Sequence, residues 1–285
     1  MKARALWVAG PGTAEIREEA GGPAGPDEVV VATRFSGISR GTEALVFRGG
    51  VPEGERGRMR APLQGGAFPF PVKYGYAAVG RVVAGPVELV GREVFVLHPH
   101  QDRFVAPAAM AVPLPEGVPA GRAVLAANME TALNVVWDAG VAPGDRVAVI
   151  GAGVVGLLTG LFARQHGAAN VVITNRTPHR LVAAQKLGLT ALNETEIEPW
   201  RYCKEQWHYG PDDRGADIVF QCRAEAASLQ MALRSLRPQG TVIDMSFYQE
   251  GAEEVRLGEE DDRSPVAPPD RAPPHGSPFR LRARL

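Results

Sequence analysis

The sequence predicts an α/β protein in which a β-rich N-terminal domain is followed by a doubly wound parallel sheet and a disordered C-terminal tail. Three observations support this fold class. Short apolar runs separated by Gly and Pro fill residues 1 to about 120, strand and helix patterns alternate from about residue 123, and Pro and Arg dominate after residue 260. The pattern of the chain therefore changes twice along its 285 residues.

Composition excludes several classes of protein. The chain has 45% hydrophobic residues, a formal net charge of -1 and two cysteines, Cys203 and Cys222. The balanced charge argues against a nucleic-acid-binding surface, and no apolar stretch is long enough to span a membrane. Two cysteines cannot form a framework of disulfides, which favours a reducing compartment. We therefore expect a cytoplasmic protein without nucleic-acid or membrane partners.

The N-terminal domain is predicted from short strands over residues 1–9, 28–33, 78–83 and 93–97. Each is rich in apolar or β-branched residues and is bounded by Gly or Pro clusters. The apolar run of residues 1–9 is too short for a signal peptide and is interpreted as a first strand.

A strand, a glycine turn, a helix and a second strand follow one another over residues 146–176. Residues 147–150 are apolar, as a strand buried on both faces should be, and a second apolar strand follows at residues 170–174. This order is the first half of a dinucleotide-binding unit. Helices near 178–187 and 224–237 and strands near 217–221 and 241–245 continue the parallel sheet.

The glycine turn itself has the spacing that binds a pyrophosphate. The first glycine allows the tight turn, the second leaves room for the phosphates, and the third lets the helix pack closely on the strand. Free amides at the start of the helix attract the phosphate charge. The residues predicted to contact the cofactor here are Gly151, Gly153, Val154, Val155 and Gly156.

The end of the second strand indicates which nicotinamide cofactor is bound. An acidic residue there would accept hydrogen bonds from a ribose 2'-hydroxyl, but this chain has Asn175 followed by Arg176, with Arg180 one helical turn further on. Guanidinium groups suit the 2'-phosphate of NADP. We therefore expect NADP, with NAD left open. In the alternative interpretation Arg176 and Arg180 are solvated surface charges.

Three further segments accompany the glycine turn: residues 36–43 (SGISRGTE), 74–80 (YGYAAVG) and 142–145 (APGD). With them the chain resembles the medium-chain dehydrogenase/reductase family over residues 1 to about 260. The first segment is also similar to that of bacteriochlorophyllide dehydrogenases, which oxidise a side-chain hydroxyethyl group. The resemblance implies a GroES-like domain at 1–122, a Rossmann dinucleotide-binding domain at 123–260 and a tail at 261–285.

The resemblance also implies where zinc-dependent relatives would hold their catalytic metal. Those positions carry Ser39, Tyr76 with Ala77, and Ala127 in this chain. Zinc requires thiolate, imidazole or carboxylate donors, so we expect no catalytic zinc. The four-cysteine structural zinc lobe is missing as well. A zinc enzyme with unusual ligands is the alternative, and it would have to use the histidines near residue 100.

Polar side chains must then move the proton. The position where zinc-dependent relatives carry a relay hydroxyl is Gly41, so we expect the relay to come from Ser39, Thr42 or Tyr76.

His98 is a further catalytic candidate, because imidazole suits proton transfer near neutrality. His98 and His100 alternate along an extended segment and are expected to face one surface. The alternative is a pair of loop histidines hydrogen-bonded to the backbone.

The resemblance assigns three more cofactor contacts. Arg40 matches an arginine that some relatives place on the pyrophosphate, although it could be an ordinary loop residue. Thr131 matches a threonine near the nicotinamide, with a helix cap as its alternative role. Ser246 follows the last readable strand, at the edge of the sheet that faces the nicotinamide.

The C-terminal segment departs from the family pattern, which expects a sixth sheet strand and a return of the chain. We find neither in the sequence after residue 260, where repeated prolines remove backbone donors. We therefore predict that residues 261–285 are disordered, and that this end is truncated or arises from a shifted reading frame.

These observations predict a zinc-independent, NADP(H)-dependent oxidoreductase that transfers hydride to or from a carbonyl, an alcohol or an activated alkene. Its partner is a small, hydrophobic substrate, and a homodimer is left open. The alternative is a catalytically inactive nucleotide-binding protein or a truncated remnant of such an enzyme.

Overall fold

The computed structural model describes residues 2–210, 213–248, 254–256 and 280–283. It divides into two compact units, Met1–Ala127 and Asn128–Leu285.

The first unit is built mainly from antiparallel strands. They form a four-stranded sheet in the order β2-β1-β5-β4 and a five-stranded sheet in the order β8-β3-β6-β7-β9. The strands are β1 (Lys2–Gly10), β2 (Thr13–Ala20), β3 (Glu28–Ser36), β4 (Gly65–Gly66), β5 (Val72–Lys73), β6 (Ala78–Ala84), β7 (Glu93–Val96), β8 (Arg103–Pro107) and β9 (Val112–Pro113). The predicted β-rich N-terminal fold is confirmed.

The core of the first unit lies against the central strand β3. Val29 and Val31 lie on one face of this strand and are fully buried, because their side chains pack in an apolar cluster with side chains of β6, β7 and β8. Phe104 of β8 completes the same apolar cluster.

Two helices interrupt this unit, α1 (Arg40–Arg48) and α2 (Ala120–Ala123). The strand pattern of the sequence did not predict α1. Ser39 stands at the N-cap position of α1, and its backbone N–H donates to the Glu43 carboxylate at 2.7 Å. Gly49 ends the helix at φ 73°, a backbone conformation that glycine adopts without strain. These local features fix a helix where hydrophobic periodicity alone is weak.

The second unit contains a six-stranded parallel sheet in the order β12-β11-β10-β15-β16-β17. Its strands are β10 (Arg146–Ile150), β11 (Asn170–Asn175), β12 (Thr190–Asn193), β15 (Ala216–Gln221), β16 (Leu236–Asp244) and β17 (Arg280–Ala283), with a small hairpin of β13 (His208–Gly210) and β14 (Asp213–Arg214). The helices are α3 (Ala126–Ala139), α4 (Val154–Gln165), α5 (Pro178–Lys186), α6 (Pro199–Gln206) and α7 (Ala226–Ser235). The predicted doubly wound parallel fold is confirmed.

The C-terminal part of the sheet corrects one expectation. Arg280–Ala283 forms the sixth strand, which pairs in parallel with residues 241–244 of β16. The prediction that the sixth strand is missing was therefore wrong, and so was disorder at these four residues. The rest of the predicted tail, residues 261–279 and 284–285, lies outside the described part of the chain.

A cluster of charges joins the amino ends of the central parallel strands. Arg146 of β10 bonds Asp217 of β15 at 2.8 Å and Asp213 at 2.9 Å, and Arg237 of β16 also bonds Asp217. Burial alone would raise the pKa of Asp217, but hydrogen bonds from the two arginines hold it at about 2. We call these four residues the arginine clamp.

Both cysteines are free thiols in the structure. Across the described ranges, no helix is both long and apolar enough to cross a bilayer.

Candidate functional site

The turn after β10 has the geometry of a phosphate-binding loop. Gly151 adopts φ 111°, a conformation that favours glycine, and Gly153 precedes the first residue of α4. A Cβ at Gly156 would overlap the carbonyl oxygen of Gly151, so the helix can approach the strand this closely only with glycine there. A Cβ at Gly153 would instead meet open space. The turn therefore combines one tightly packed glycine with one that leaves a free approach to the backbone.

The start of α4 offers backbone amides to a ligand. Gly153, its N-cap residue, has no side chain to cap the helix, and the amides of a first helical turn have no partner within the helix. Val154 is 51% exposed and Val155 is half-buried. The positive end of the helix dipole lies at the same place, so this terminus suits an anion.

The carboxyl end of β11 presents Arg176 to solvent. Its side chain is 61% exposed, and its Nε lies 3.3 Å from a carboxylate oxygen of Glu194. Asn175 is buried, and its Oδ1 accepts the Thr177 N–H at 2.9 Å, which fixes the turn into α5. Arg180 follows in the first turn of α5 and is half-buried.

Sequence reasoning missed the acidic partner of this arginine. The Glu194 side chain is 2% exposed and also pairs with Arg223 at 3.0 Å, while Thr174 Oγ1 donates to it at 2.6 Å. Glu194 follows β12 and Arg223 follows β15, so only the parallel sheet brings them together. The order of parallel strands was the signal that could have indicated their proximity.

Two other predicted cofactor contacts have defined surroundings. Ser246 is buried after β16, and its N–H donates to Asp244 at 3.1 Å. Tyr248 donates to the other oxygen of the same carboxylate at 2.8 Å. Burial nevertheless raises the pKa of Asp244. Thr131 lies inside α3 rather than at its start, so the alternative role of a helix cap is excluded.

In the first unit, three of the predicted catalytic residues lie together. Tyr76 makes side-chain hydrogen bonds with Ser39 and Thr42, and burial raises its pKa above the ordinary value. Glu43 lies close enough to add to this shift. The hydroxyl groups therefore form one small cluster at the start of α1.

This cluster does not fit a zinc ion. The family positions carry Ser39, Tyr76, Ala77 and Ala127, and none of these is a thiolate, an imidazole or a carboxylate. Within the described ranges, no three His, Cys, Asp or Glu side chains are grouped as a metal site requires.

His98 has a different environment from the one expected. It stacks on Phe104 with ring centroids 3.6 Å apart, and its Nδ1 lies 2.8 Å from the carbonyl oxygen of Pro99. Burial lowers its pKa to about 4. β7 ends at Val96, and the His98 N–H bonds back to the Val96 carbonyl at 2.9 Å. The chain turns here, so the alternation expected for an extended strand fails and the two histidines have separate partners.

His100 is the histidine that contacts polar groups of the cluster, and sequence reasoning did not select it. Its Nε2 lies 2.7 Å from Glu43 and its Nδ1 lies 2.9 Å from Ser36. A Cβ at Gly75, where φ is 125°, would come within 2.9 Å of the imidazole. The glycine between Tyr74 and Tyr76 is a sequence signal that a bulky side chain, here His100, packs against this position.

A cavity of about 330 Å³ lies beside these groups within the first unit. Apolar side chains of β1 and α1 form most of its wall, and its charged or polar members are Arg40, Glu43, Tyr74 and His100. An apolar cavity with a few convergent polar groups is typical of a small-molecule site.

Comparison with known proteins agrees with this architecture. Residues 154–259 match the family model described as "Zinc-binding dehydrogenase". D-xylulose reductase A of Aspergillus oryzae is 32% identical over 141 residues, which is 49% of this chain and 39% of that protein. The chain thus spans well under half of that relative.

A second relative is covered more fully. The Mycobacterium tuberculosis protein named "Probable zinc-binding alcohol dehydrogenase" is 30% identical over 280 residues, covering 84% of this chain and 67% of its own. Among solved structures, a Sinorhizobium meliloti protein bound to NADP superposes with a TM-score of 0.74 at 20% identity, covering 90% of this chain and 80% of that one. Identity at this level over most of both chains shows the family: the chain belongs to the zinc-binding dehydrogenases.

Proposed function

We propose that this chain is a zinc-independent, NADP(H)-dependent oxidoreductase that moves hydride between the cofactor and a carbonyl, an alcohol or an activated alkene. The observation that carries the proposal is the glycine turn, in which Gly156 packs on the backbone of Gly151 while Gly153 leaves the amides of α4 open. The family relationship supports the same activity.

The residues around the turn fit a dinucleotide. Its pyrophosphate would lie over the amides of Gly153, Val154 and Val155. Thr131 and Ser246 are proposed to line the nicotinamide end. When bound, the cofactor supplies or accepts a hydride, and the chain supplies orientation and a proton.

Preference for NADP rests on Arg176, Arg180 and the neutral Asn175. The exposed guanidinium of Arg176 is held by Glu194 on one side and keeps donors free for a phosphate oxygen, because a guanidinium has five N–H groups. A related solved structure holds NADP, which is consistent with this choice.

Proton transfer without zinc is assigned first to Tyr76, supported by Ser39 and Thr42. A tyrosine phenol carries its proton at neutral pH, and burial raises the pKa of Tyr76 further, so the phenol is available to donate a proton to a carbonyl oxygen during reduction. The predicted catalytic role of His98 is not carried into the proposal, because its ring is stacked on Phe104 and faces a backbone carbonyl.

The substrate is proposed to be small or to present a small hydrophobic group. The similarity of residues 36–43 to bacteriochlorophyllide dehydrogenases suggests a hydroxyethyl group on a ring. The domain limits at 122 and 260, a cytoplasmic location, a homodimer and an altered C-terminal end stay predictions. Mass spectrometry and sedimentation of the native protein test the last two.

The first experiment is a titration with NADPH and then NADH, followed by nicotinamide fluorescence at fixed ionic strength. We expect tighter binding of NADPH and a loss of about tenfold or more in NADPH affinity in Arg176→Ala, because charge-assisted hydrogen bonds contribute about 1.5–3 kcal/mol. NADH affinity should not change. Arg201→Ala is the matched control, since Arg201 on α6 is 62% exposed and pairs with Glu198, the residue before the helix.

A turnover panel then follows NADPH oxidation with quinones, enones and aldehydes, and NADP reduction with 1-phenylethanol. Cofactor binding without any turnover would favour the inactive nucleotide-binding protein. About one zinc per chain in elemental analysis would contradict zinc independence.

A further inference from the structure

The side chain of Arg223 crosses the carboxyl edge of the parallel sheet. Arg223 follows β15 and Glu194 follows β12, and β11 and β10 lie between these two strands in the sheet. The guanidinium nevertheless reaches Glu194, with its Nη1 and Nη2 at 3.0 and 3.1 Å from Oε2. In a sheet of this order, ligands bind outside the carboxyl ends of the strands, where the order reverses between β10 and β15. Arg223 therefore lies at the edge of the proposed dinucleotide site.

The backbone and the aliphatic part of Arg223 are fixed in place. Gln221 is fully buried; its Oε1 accepts the Arg223 N–H at 2.8 Å, and its Nε2 donates to the Arg223 carbonyl oxygen. A Cβ at Gly151 would come within 2.9 Å of the Arg223 Cγ, so the first glycine of the turn leaves room for this side chain. The ion pair is mostly buried, because the Arg223 and Glu194 side chains are 18% and 2% exposed. It is therefore a fixed part of this edge.

Glu194 also pairs with the arginine that is proposed to bind the 2'-phosphate. Its Oε2 lies 3.3 Å from Nε of Arg176. Its backbone N–H donates to the Asn175 carbonyl oxygen at 3.2 Å, so Glu194 lies beside the end of β11. Because like charges repel, a carboxylate in this position opposes a 2'-phosphate and cancels the charge of one guanidinium. Arg176 and Glu194 by themselves are therefore a neutral pair.

The charge around Glu194 depends on Arg223. With the second guanidinium, the three paired side chains carry a net charge of +1. Water and salt screen buried charges much less than exposed ones, so both members of the Arg223–Glu194 pair influence a ligand bound nearby. Without Arg223, the attraction of Arg176 for a phosphate would be offset by Glu194.

We propose that Arg223 is a positioning residue that sets the preference for NADP by neutralising Glu194, so that Arg176 keeps its positive charge for the 2'-phosphate; the inference rests on the proposed function. Arg223 acts through Glu194 and does not itself touch the phosphate. Cofactor preference at this edge is therefore a balance of charge among residues that follow three different strands, β11, β12 and β15.

The test measures the affinities of adenosine 2',5'-bisphosphate and adenosine 5'-monophosphate by isothermal titration calorimetry at fixed ionic strength. The two nucleotides differ only in the 2'-phosphate, so the ratio of their affinities reports the recognition of this group. Binding is measured without turnover, which keeps the result independent of substrate and of catalysis.

Three variants change the charge beside Arg176 in single steps. Arg223→Gln should lower the affinity ratio about tenfold, and Glu194→Gln should raise it about tenfold, because one unit charge changes the Coulomb energy of a nearby phosphate by about this factor. The double variant Glu194→Gln with Arg223→Gln has the net charge of wild type, so its ratio should lie within about threefold of wild type. A merely structural role of Arg223 would not produce this recovery.

Arg237→Gln is the matched control. Arg237 pairs with Asp217 in the arginine clamp, so this variant breaks an arginine–carboxylate pair at the opposite edge of the same sheet. Its affinity ratio should equal that of wild type. Thermal unfolding shows which variants are folded. If Arg223→Gln fails to fold, Glu194→Gln and the double variant still differ by Arg223 alone, and their ratios should differ about tenfold.

The expected order of affinity ratios supports the role of Arg223. Ratios within about twofold of wild type in all folded variants overturn it and leave the proposed function standing. A double variant as weak as Arg223→Gln also overturns it, because Arg223 would then contact the phosphate directly. Its Nε has no hydrogen-bond partner among the described residues and would be the donor. Wild type that binds both nucleotides equally overturns the NADP preference together with this inference, and wild type that binds neither overturns the proposed function as well.

Discussion

The two units present their candidate sites in different ways. In the second unit the site is made of backbone: a glycine turn, the amides of α4 and the carboxyl edge of a parallel sheet. In the first unit it is made of side chains that are far apart in the sequence, since Ser36 and Glu43 are 64 and 57 residues from His100. The backbone site can be inferred from local spacing, whereas the side-chain site emerges only when the strands are assembled.

The sharpest test of the backbone site compares two glycines of one turn. Gly156→Ala should destabilise the second unit by about 3 kcal/mol and abolish NADPH binding, because the new Cβ overlaps a carbonyl oxygen that cannot move freely. Gly153→Ala should fold as wild type and lose NADPH affinity alone, since its Cβ enters open space that the pyrophosphate needs. Thermal unfolding and nicotinamide fluorescence measure the two effects. Equal behaviour of the two variants would contradict the division of roles.

A pH titration tests the corrected role of His98 in the first unit. Burial lowers the pKa of His98 to about 4, below the ordinary value of about 6.5. The unfolded chain therefore takes up a proton at a pH where the folded chain does not. Stability from this residue is fully present above about pH 6.5 and is lost as the pH falls towards 4, by on the order of 3 kcal/mol.

Urea unfolding between pH 7 and pH 4 measures this slope, and His98→Gln should flatten it. The exposed His179 provides a control, because His179→Gln should leave the slope unchanged. If His98→Gln keeps the wild-type slope of unfolding free energy against pH, His98 is not the residue that causes the loss of stability at low pH.

The smallest expected effect concerns the hydroxyl cluster. Tyr76→Phe removes the hydrogen bonds with Ser39 and Thr42 and should cost about 1 kcal/mol of unfolding free energy. It should also lower kcat for carbonyl reduction more than for alcohol oxidation, because the phenol is the proposed donor. Tyr202→Phe in α6 is the control. A variant with unchanged reduction would remove Tyr76 from the mechanism.

Prediction from the sequence was more successful for the backbone site of the second unit than for the side-chain site of the first unit. The strands β10, β11 and β15 were predicted to within about a residue, because strands buried on both faces are continuous apolar runs. The sixth strand β17 was missed because a proline-rich stretch precedes it, and the sequence of that stretch has no pattern typical of a crossover helix.

The side-chain site was predicted only in part. Ser39, Thr42 and Tyr76 were identified through resemblance, and they do lie together. His98 was selected as the catalytic candidate, and an extended strand was expected to place both His98 and His100 on one surface. The chain turns after Val96 instead, and the two rings have separate partners. Glu194 and Arg223 were missed because they are 29 residues apart in the sequence and follow β12 and β15, between which β11 and β10 lie in the sheet.

The arginine clamp has a consequence for redesign. Arg146, Asp213, Asp217 and Arg237 hold the strands at their amino ends, whereas Asn175, Arg176 and Arg180 lie at or beyond the carboxyl end of β11. The two sets share no residue. A library that randomises Asn175, Arg176 and Arg180, the residues proposed to face the cofactor, can therefore explore new nucleotide preferences without changing the arginine clamp.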